Sequence, residues 1–364
     1  MARLEVRHSS AVEDAALPVP KHGVDDISLE KRTSYGILSR YFIPSLKEVA
    51  MLSRRMFLVQ GAALAAGGCA SAVAGTDAGS VYDGIPIGVI TYSYRGMPVG
   101  QFKTLEYVKA SGLSEMEFMS NDLELDAGAP MNKLPWKMSK EEKAVLEAWR
   151  RNVDIKRFEE VRAKYEDAGV KAHIVKFGNI SGGMSDEAME YCFKVARIMG
   201  AKAITREIPG PKNMASFEKD FKRLARFAER YDIAIAFHNH LQIDAKTYDG
   251  PLLDWSPKFM INFDIGHYVA ANDDDPLAFV KKYHDRIYSI HIKDRTTKAH
   301  GQKNLAFGAG DTPLVGLFGL MRKEGYRFPC DIELEYAIPK GSDAVREVDV
   351  SRRYCATNIE KIRS

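Results

Sequence analysis

Four short stretches near the C-terminal half, Ile233–His240, Phe259–His267, Ile287–Asp294 and Asp331–Tyr336, constrain this chain more than any other feature. Successive side chains of a strand point to opposite faces, so each stretch divides into two sets. One is apolar: Phe237, Ile261, Phe263, Ile290, Ile292, Ile332 and Leu334. The other is polar and crowds the C-terminal ends: His238, His240, Asp264, His291, Lys293, Glu333 and Glu335. A strand buried on both faces of an ordinary parallel sheet reads as a continuous apolar run. Four consecutive strands with one greasy and one His/Asp/Glu face instead predict ends that converge on a polar pocket.

The spacing agrees. His238, Asp264 and His291 follow one another at about 26 and 27 residues, close to the roughly 30 residues of one strand–helix–return unit. The longer step to Glu335 is filled by the polar loop RTTKAHGQKNLAFGAGD. Residues at the C-terminal ends of consecutive parallel strands are where a (β/α)8 TIM barrel, an α/β fold, keeps its active site. Carboxylates and imidazoles pointing inward make a mixed N/O set suited to Mn, Fe, Co or Zn.

The remaining chain supports the same architecture. Strands are expected at Ile85–Ser93, Glu115–Ser120, Val170–Phe177 and Ala203–Glu207, and helices at Gln101–Ser111, Ile155–Asp167 (capped by Asp154), Asp186–Met199 (capped by Ser185) and Ser216–Tyr231. Pro276–Tyr283, Leu314–Glu324 and Asp343–Ile362 complete the helices, and residues 121–150 read as an irregular loop or lid. Eight alternating units argue for a parallel, closed barrel over 84–362. No G-x-G-x-x-G follows the first strand and no G-x-x-x-x-G-K-[ST] occurs, so the Rossmann and P-loop readings lose their main support.

The 364 residues carry a net charge of +3 and no basic run interleaved with aromatics, so nucleic acid is not an expected partner. The four cysteines lack C-x-x-C pairing, and Cys69 lies in a leader-like segment, leaving three that are expected as free thiols. That segment, residues 51–80, contains SRRMFLVQGAALAAGG with a twin arginine, a short Ala/Gly-rich run and small-residue cleavage sites. It resembles a twin-arginine (Tat) export signal and implies a periplasmic protein. The run is too short to span a membrane, and Cys69 is a candidate lipid acceptor. Residues 1–50, aperiodic and ahead of Met51, are expected to be a disordered upstream extension.

F-D-I-G-H on strand six, H-I-K-D on strand seven, the Gly-rich F-G-A-G-D loop and L-E-Y on strand eight resemble the xylose isomerase-like TIM-barrel superfamily, which includes sugar isomerases and epimerases and inosose dehydratases. The resemblance spans residues 84–362 and implies one divalent metal, manganese first, with Zn, Co or Fe as alternatives. The implied ligands are His238, Asp264, His291 and Glu335, with His238 standing where epimerases have Glu. Glu335, His238 and His267 are the implied catalytic residues, and His240, Lys293 and Glu117 the implied substrate contacts. The implied activity is carbohydrate isomerisation or epimerisation through an enediolate. A keto-sugar or inosose lyase and a non-catalytic sugar-binding barrel are the alternatives, and a homodimer is one assembly such barrels adopt.

Overall fold

In the computed structural model, eight parallel strands close on themselves: β1 (Ile85–Ile90), β2 (Glu115–Met119), β3 (Lys171–Lys176), β4 (Ala203–Glu207), β5 (Ala234–His238), β6 (Phe259–Asp264), β7 (Ile287–Ile292) and β8 (Cys330–Ile332). Each pairs with its sequence neighbours, β8 pairs with β1, and the ring is the expected (β/α)8 barrel. A two-residue strand, Val81–Tyr82, pairs antiparallel with β1. The structure describes residues 79–364 apart from 99, 132, 133, 135, 136, 179 and 182. The expected extension and nearly all of the export leader, with Cys69, lie outside the described residues. Among the described residues no helix is long and apolar enough to cross a membrane, and Cys192, Cys330 and Cys355 are free and buried.

The helices are α1 (Gln101–Ala110), α2 (Ser120–Asp126), α3 (Lys140–Asn152), α4 (Arg157–Asp167), α5 (Asp186–Ile198), α6 (Glu218–Tyr231), α7 (Ile265–Ala271), α8 (Pro276–Tyr283), α9 (Leu314–Glu324) and α10 (Ala344–Arg363). The apolar strand faces point outward beneath them. Phe237 meets Phe221 of α6 edge-on, and Phe263 stacks on Phe279 of α8 with ring centroids 4.3 Å apart. Burying each such ring contributes about 1.5–3 kcal/mol. Inside the barrel, Ile174, Ala203, Ala234 and Ala236 form an apolar plug, and the inward residues of β5 to β7 above it are polar. Gly88 in β1 is needed here: a Cβ would come within 2.3 Å of Asp331 Oδ1.

Two local readings change. Residues 121–150 are largely helical. The Ser139 hydroxyl accepts from Glu142 N–H while the Glu142 carboxylate accepts from Ser139 N–H, a reciprocal cap that starts α3. Few apolar residues follow it, which hid its period. The insertion is tied down by Arg150, whose Nε and Nη2 donate to both oxygens of Glu124 at 2.7 and 2.9 Å in a buried pair. The second change concerns β6, which ends at Asp264, so His267 sits on α7. Asp264 is the N-cap that turns strand into helix: its Oδ1 accepts from His267 N–H at 2.7 Å.

Removing one partner of a buried charge pair strands the other charge in low dielectric. Arg150→Met is therefore expected to lower unfolding stability by about 3–5 kcal/mol. The double variant Glu124→Leu/Arg150→Met should regain most of it. Urea unfolding of both proteins checks this.

Candidate metal centre

The polar faces of β5 to β8 meet at the barrel mouth. Ligand-type atoms of His238, Asp264, His291 and Glu333 all lie within 4.8 Å of one another, and all four residues are buried. Three were expected. The carboxylate that joins them is Glu333 rather than Glu335, which stands in a separate group with His267 and Glu333. Parity could not separate the two glutamates. β8 ends at Ile332, and Glu333 is the first inward residue beyond it.

Hydrogen bonds below the cluster fix both imidazoles. Asn262 Nδ2 donates to Glu117 Oε2 at 2.9 Å and to Ser289 Oγ at 2.8 Å, so its Oδ1 faces His238 Nδ1 at 2.7 Å as an acceptor. His238 thus carries its proton on Nδ1 and turns the Nε2 lone pair toward the cluster. Burial first, then the Lys176 and His291 charges, push its pKa well below the ordinary histidine value. His291 Nε2 donates to Glu117 Oε2 at 2.8 Å. Burial works against its charge, but Glu117 prevails and the pKa rises to about 10. Glu117, in spite of its burial, is held below the usual carboxylate range by His291. Glu117 also accepts from Thr205 Oγ1 at 2.7 Å. Glu117, expected as a substrate contact, is fully buried beneath His291, with its oxygens committed to neighbouring side chains.

Lys293 supplies the positive charge. Its Nζ lies 3.0 Å from Asp264 Oδ2, 2.6 Å from Glu333 Oε2 and 2.7 Å from Glu335 Oε2. Burial opposes this ammonium, yet the three carboxylates raise its pKa above the ordinary lysine value. Burial outweighs Lys293 at Asp264 and raises that carboxyl, whereas at Glu333 the ammonium and His291 overcome burial and hold it well below its usual range. His267 lies beside Lys293, and burial followed by that charge lowers its pKa to about 2. His240 is half-exposed at the rim, with Nδ1 3.7 Å from Glu207 Oε2. A cavity of about 430 Å³ opens above, lined by Tyr92, Lys176, Glu207, His240, Glu333 and Glu335.

The donor set fits a divalent cation. Asp264 Oδ2, His291 Nδ1 and Glu333 Oε2 are buried and make no hydrogen bond, although Lys293 stands within ion-pair range of both carboxylates, and such an arrangement is costly unless something else coordinates them. Each ring has one nitrogen engaged below the cluster, His238 presenting its free lone pair and His291 gaining one on loss of its second proton, the second-shell pattern of metal-binding histidines. Asn262 and Asn239 escaped the sequence reading. Asn262 shares the inward parity of Asp264, which is the signal that marks it. Asn239 clamps the end of β6 by accepting from Asp264 N–H and donating to Asp264 C=O, at 2.9 and 3.1 Å.

The model of the xylose isomerase-like TIM barrel family matches residues 105–354, and the chain belongs to that family. An inosose dehydratase of Clostridium tetani (strain Massachusetts / E88) is 23% identical over 136 residues, which cover 32% of this chain and 45% of that protein. A xylose isomerase domain protein from Alicyclobacillus acidocaldarius superposes with a TM-score of 0.56 at 15% identity, covering 77% of this chain and all of its own. An L-ribulose 3-epimerase superposes with a TM-score of 0.53 at 13% identity, covering 77% and 96%. These structures share the fold. The family spans sugar isomerases, epimerases and dehydratases, and a small carbohydrate is the ligand it suggests.

Ligands must shed their protons before coordinating. With His291 raised to about 10, the metal-free protein holds its second proton at neutral pH. Titrating Mn²⁺ into chelator-treated protein should release about one proton per metal, and affinity should climb about tenfold per pH unit until pH approaches that pKa. Calorimetry in buffers of different ionisation enthalpy measures the release.

Proposed function

We propose that the protein is a metal-dependent carbohydrate isomerase or epimerase that works through an enediolate, with His238, Asp264, His291 and Glu333 as ligands. The observation that carries this reading is the convergence of three buried ligand atoms without hydrogen bonds at the mouth of the barrel. A divalent cation there, manganese first, supplies Lewis acidity toward a carbonyl and its neighbouring hydroxyl.

The protein's own groups divide the remaining work. His238, neutral and pinned by Asn262, is a ligand rather than the base. Glu335 lines the cavity and is partly exposed, so it is the carboxylate placed to take a proton from the carbon next to the carbonyl. Glu207 and His240 line the same cavity and bind hydroxyls or return the proton. Lys293, beside Glu335, compensates negative charge as it builds on substrate oxygen. Return of the proton to the neighbouring carbon isomerises the sugar, and return to the other face epimerises it. Loss of a β-substituent gives a lyase instead. The similarity to inosose dehydratase favours that second reading.

Elemental analysis separates ligand from base. About one metal per chain is expected in the parent and in Glu335→Gln, and little in Asp264→Ala or Glu333→Gln. On a panel of keto-sugars, Glu335→Gln should lose at least a hundredfold in kcat, within the range for loss of a general base. A new configuration in the product supports the isomerase, and an ultraviolet-absorbing enone supports the lyase. A parent that takes up no metal on titration rejects the mechanism.

A further inference from the structure

His267 is contacted on both ring nitrogens by cationic side chains. Arg295 Nη1 lies 2.5 Å from Nδ1, and Lys293 Nζ lies 3.0 Å from Nε2. A neutral imidazole has one lone pair and one N–H, while guanidinium and ammonium groups donate and never accept. The two contacts therefore cannot both be hydrogen bonds, and the freedom of each donor decides between them. Guanidinium N–H directions are fixed by its plane, whereas the Lys293 ammonium rotates and has three carboxylate oxygens within 3.0 Å toward which its N–H groups can turn from the ring. Arg295 is permanently charged and its approach is the shorter. The lone pair at Nδ1 belongs to Arg295.

The guanidinium is built into place for this. Arg295 Nη2 donates to Gln302 C=O at 2.6 Å, and Gln302 Nε2 donates to Ala270 C=O on the same helix that carries His267. The Arg295 backbone N–H donates to Thr312 Oγ1 at 3.0 Å. The neighbouring Asp294 carboxylate accepts from the N–H groups of Gly308, Gly310 and Thr312. That is the F-G-A-G-D loop, so its glycines hold the segment from which Arg295 reaches the ring. Gly310 has no substitute there, because a Cβ would stand 2.3 Å from Asp294 Oδ1.

We propose that Arg295 is a positioning residue that fixes His267 as the neutral Nε2–H tautomer, so that His267 offers the substrate a hydrogen-bond donor and no basic lone pair. Around Nε2 stand Glu335 Oε2 at 3.6 Å and Asp264 Oδ2 at 3.9 Å, both acceptors. A neutral imidazole donor suits a carbonyl oxygen that gains charge as the adjacent proton leaves. His267 then polarises that oxygen, and the proton itself goes to a carboxylate. This chemical meaning rests on the enediolate reading above, but the tautomer does not, because it is measured without substrate.

The test is a two-bond ¹H–¹⁵N correlation spectrum of the full chain labelled with ¹⁵N-histidine and loaded with diamagnetic Zn²⁺. His267→Gln identifies the His267 signals among the nine histidines. The parent should show His267 with the proton on Nε2 and none on Nδ1. In Arg295→Met, Lys293 becomes the nearest donor to the ring, and the pattern should invert to Nδ1–H. A parent ring protonated on Nδ1 or on both nitrogens overturns the proposal, as does an unchanged tautomer in folded Arg295→Met. Should that variant not fold, the parent spectrum alone still decides. A chain that converts no sugar would end the enediolate reading and leave this measurement standing.

Discussion

Charge compensation around Lys293 governs the barrel mouth. Three carboxylates converge on one ammonium within 3.0 Å, with two imidazoles alongside. Isolated charges this deeply buried cost several kcal/mol each, so the arrangement persists only because each partner offsets another. The layer beneath follows the same rule, with Glu117 set against His291 and Asn262 tying that pair to His238. The apolar plug below and the aromatic layer outside supply the rigid frame in which such a set can be held.

Much of this was legible in the strands. Alternation at period two separated inward from outward residues correctly from Phe237 through Leu334. The recurrence of His238, Asp264 and His291 once per repeat predicted both closure and convergence. What escaped has physical reasons. Glu333 and Glu335 share a parity, and only the point at which the chain leaves the sheet decides which one reaches the cluster. His267 looked like strand because Asp264 ends β6 by a side-chain cap, and a cap beside a polar residue has no unique sequence signature. Arg295 lay in a stretch read as polar loop, and its role comes from a backbone path that only the folded F-G-A-G-D segment reveals. The helix over Lys140–Asn152 was missed because its stability comes from a cap and one buried ion pair more than from an apolar stripe.

Membership of the xylose isomerase-like family fixes the scaffold and leaves the outcome of catalysis to local groups. Isomerisation, epimerisation and elimination diverge only after the first proton has moved. They differ in where the cavity wall places its next acid, and under the proposed function that wall is the one formed by Tyr92, Lys176, Glu207 and His240.

The two oxygens of Asp264 have separate employments: Oδ1 caps α7, while Oδ2 faces the cluster without a hydrogen bond. An amide in place of the carboxylate keeps an oxygen for the cap and surrenders the anionic donor. A single-base drift from Asp to Asn would thus yield a barrel that still folds and still carries His267 on its helix, yet lacks the anionic oxygen that the proposed cation site calls on. Architecture and the proposed ligation are separable at one side chain, so the fold can outlast the site.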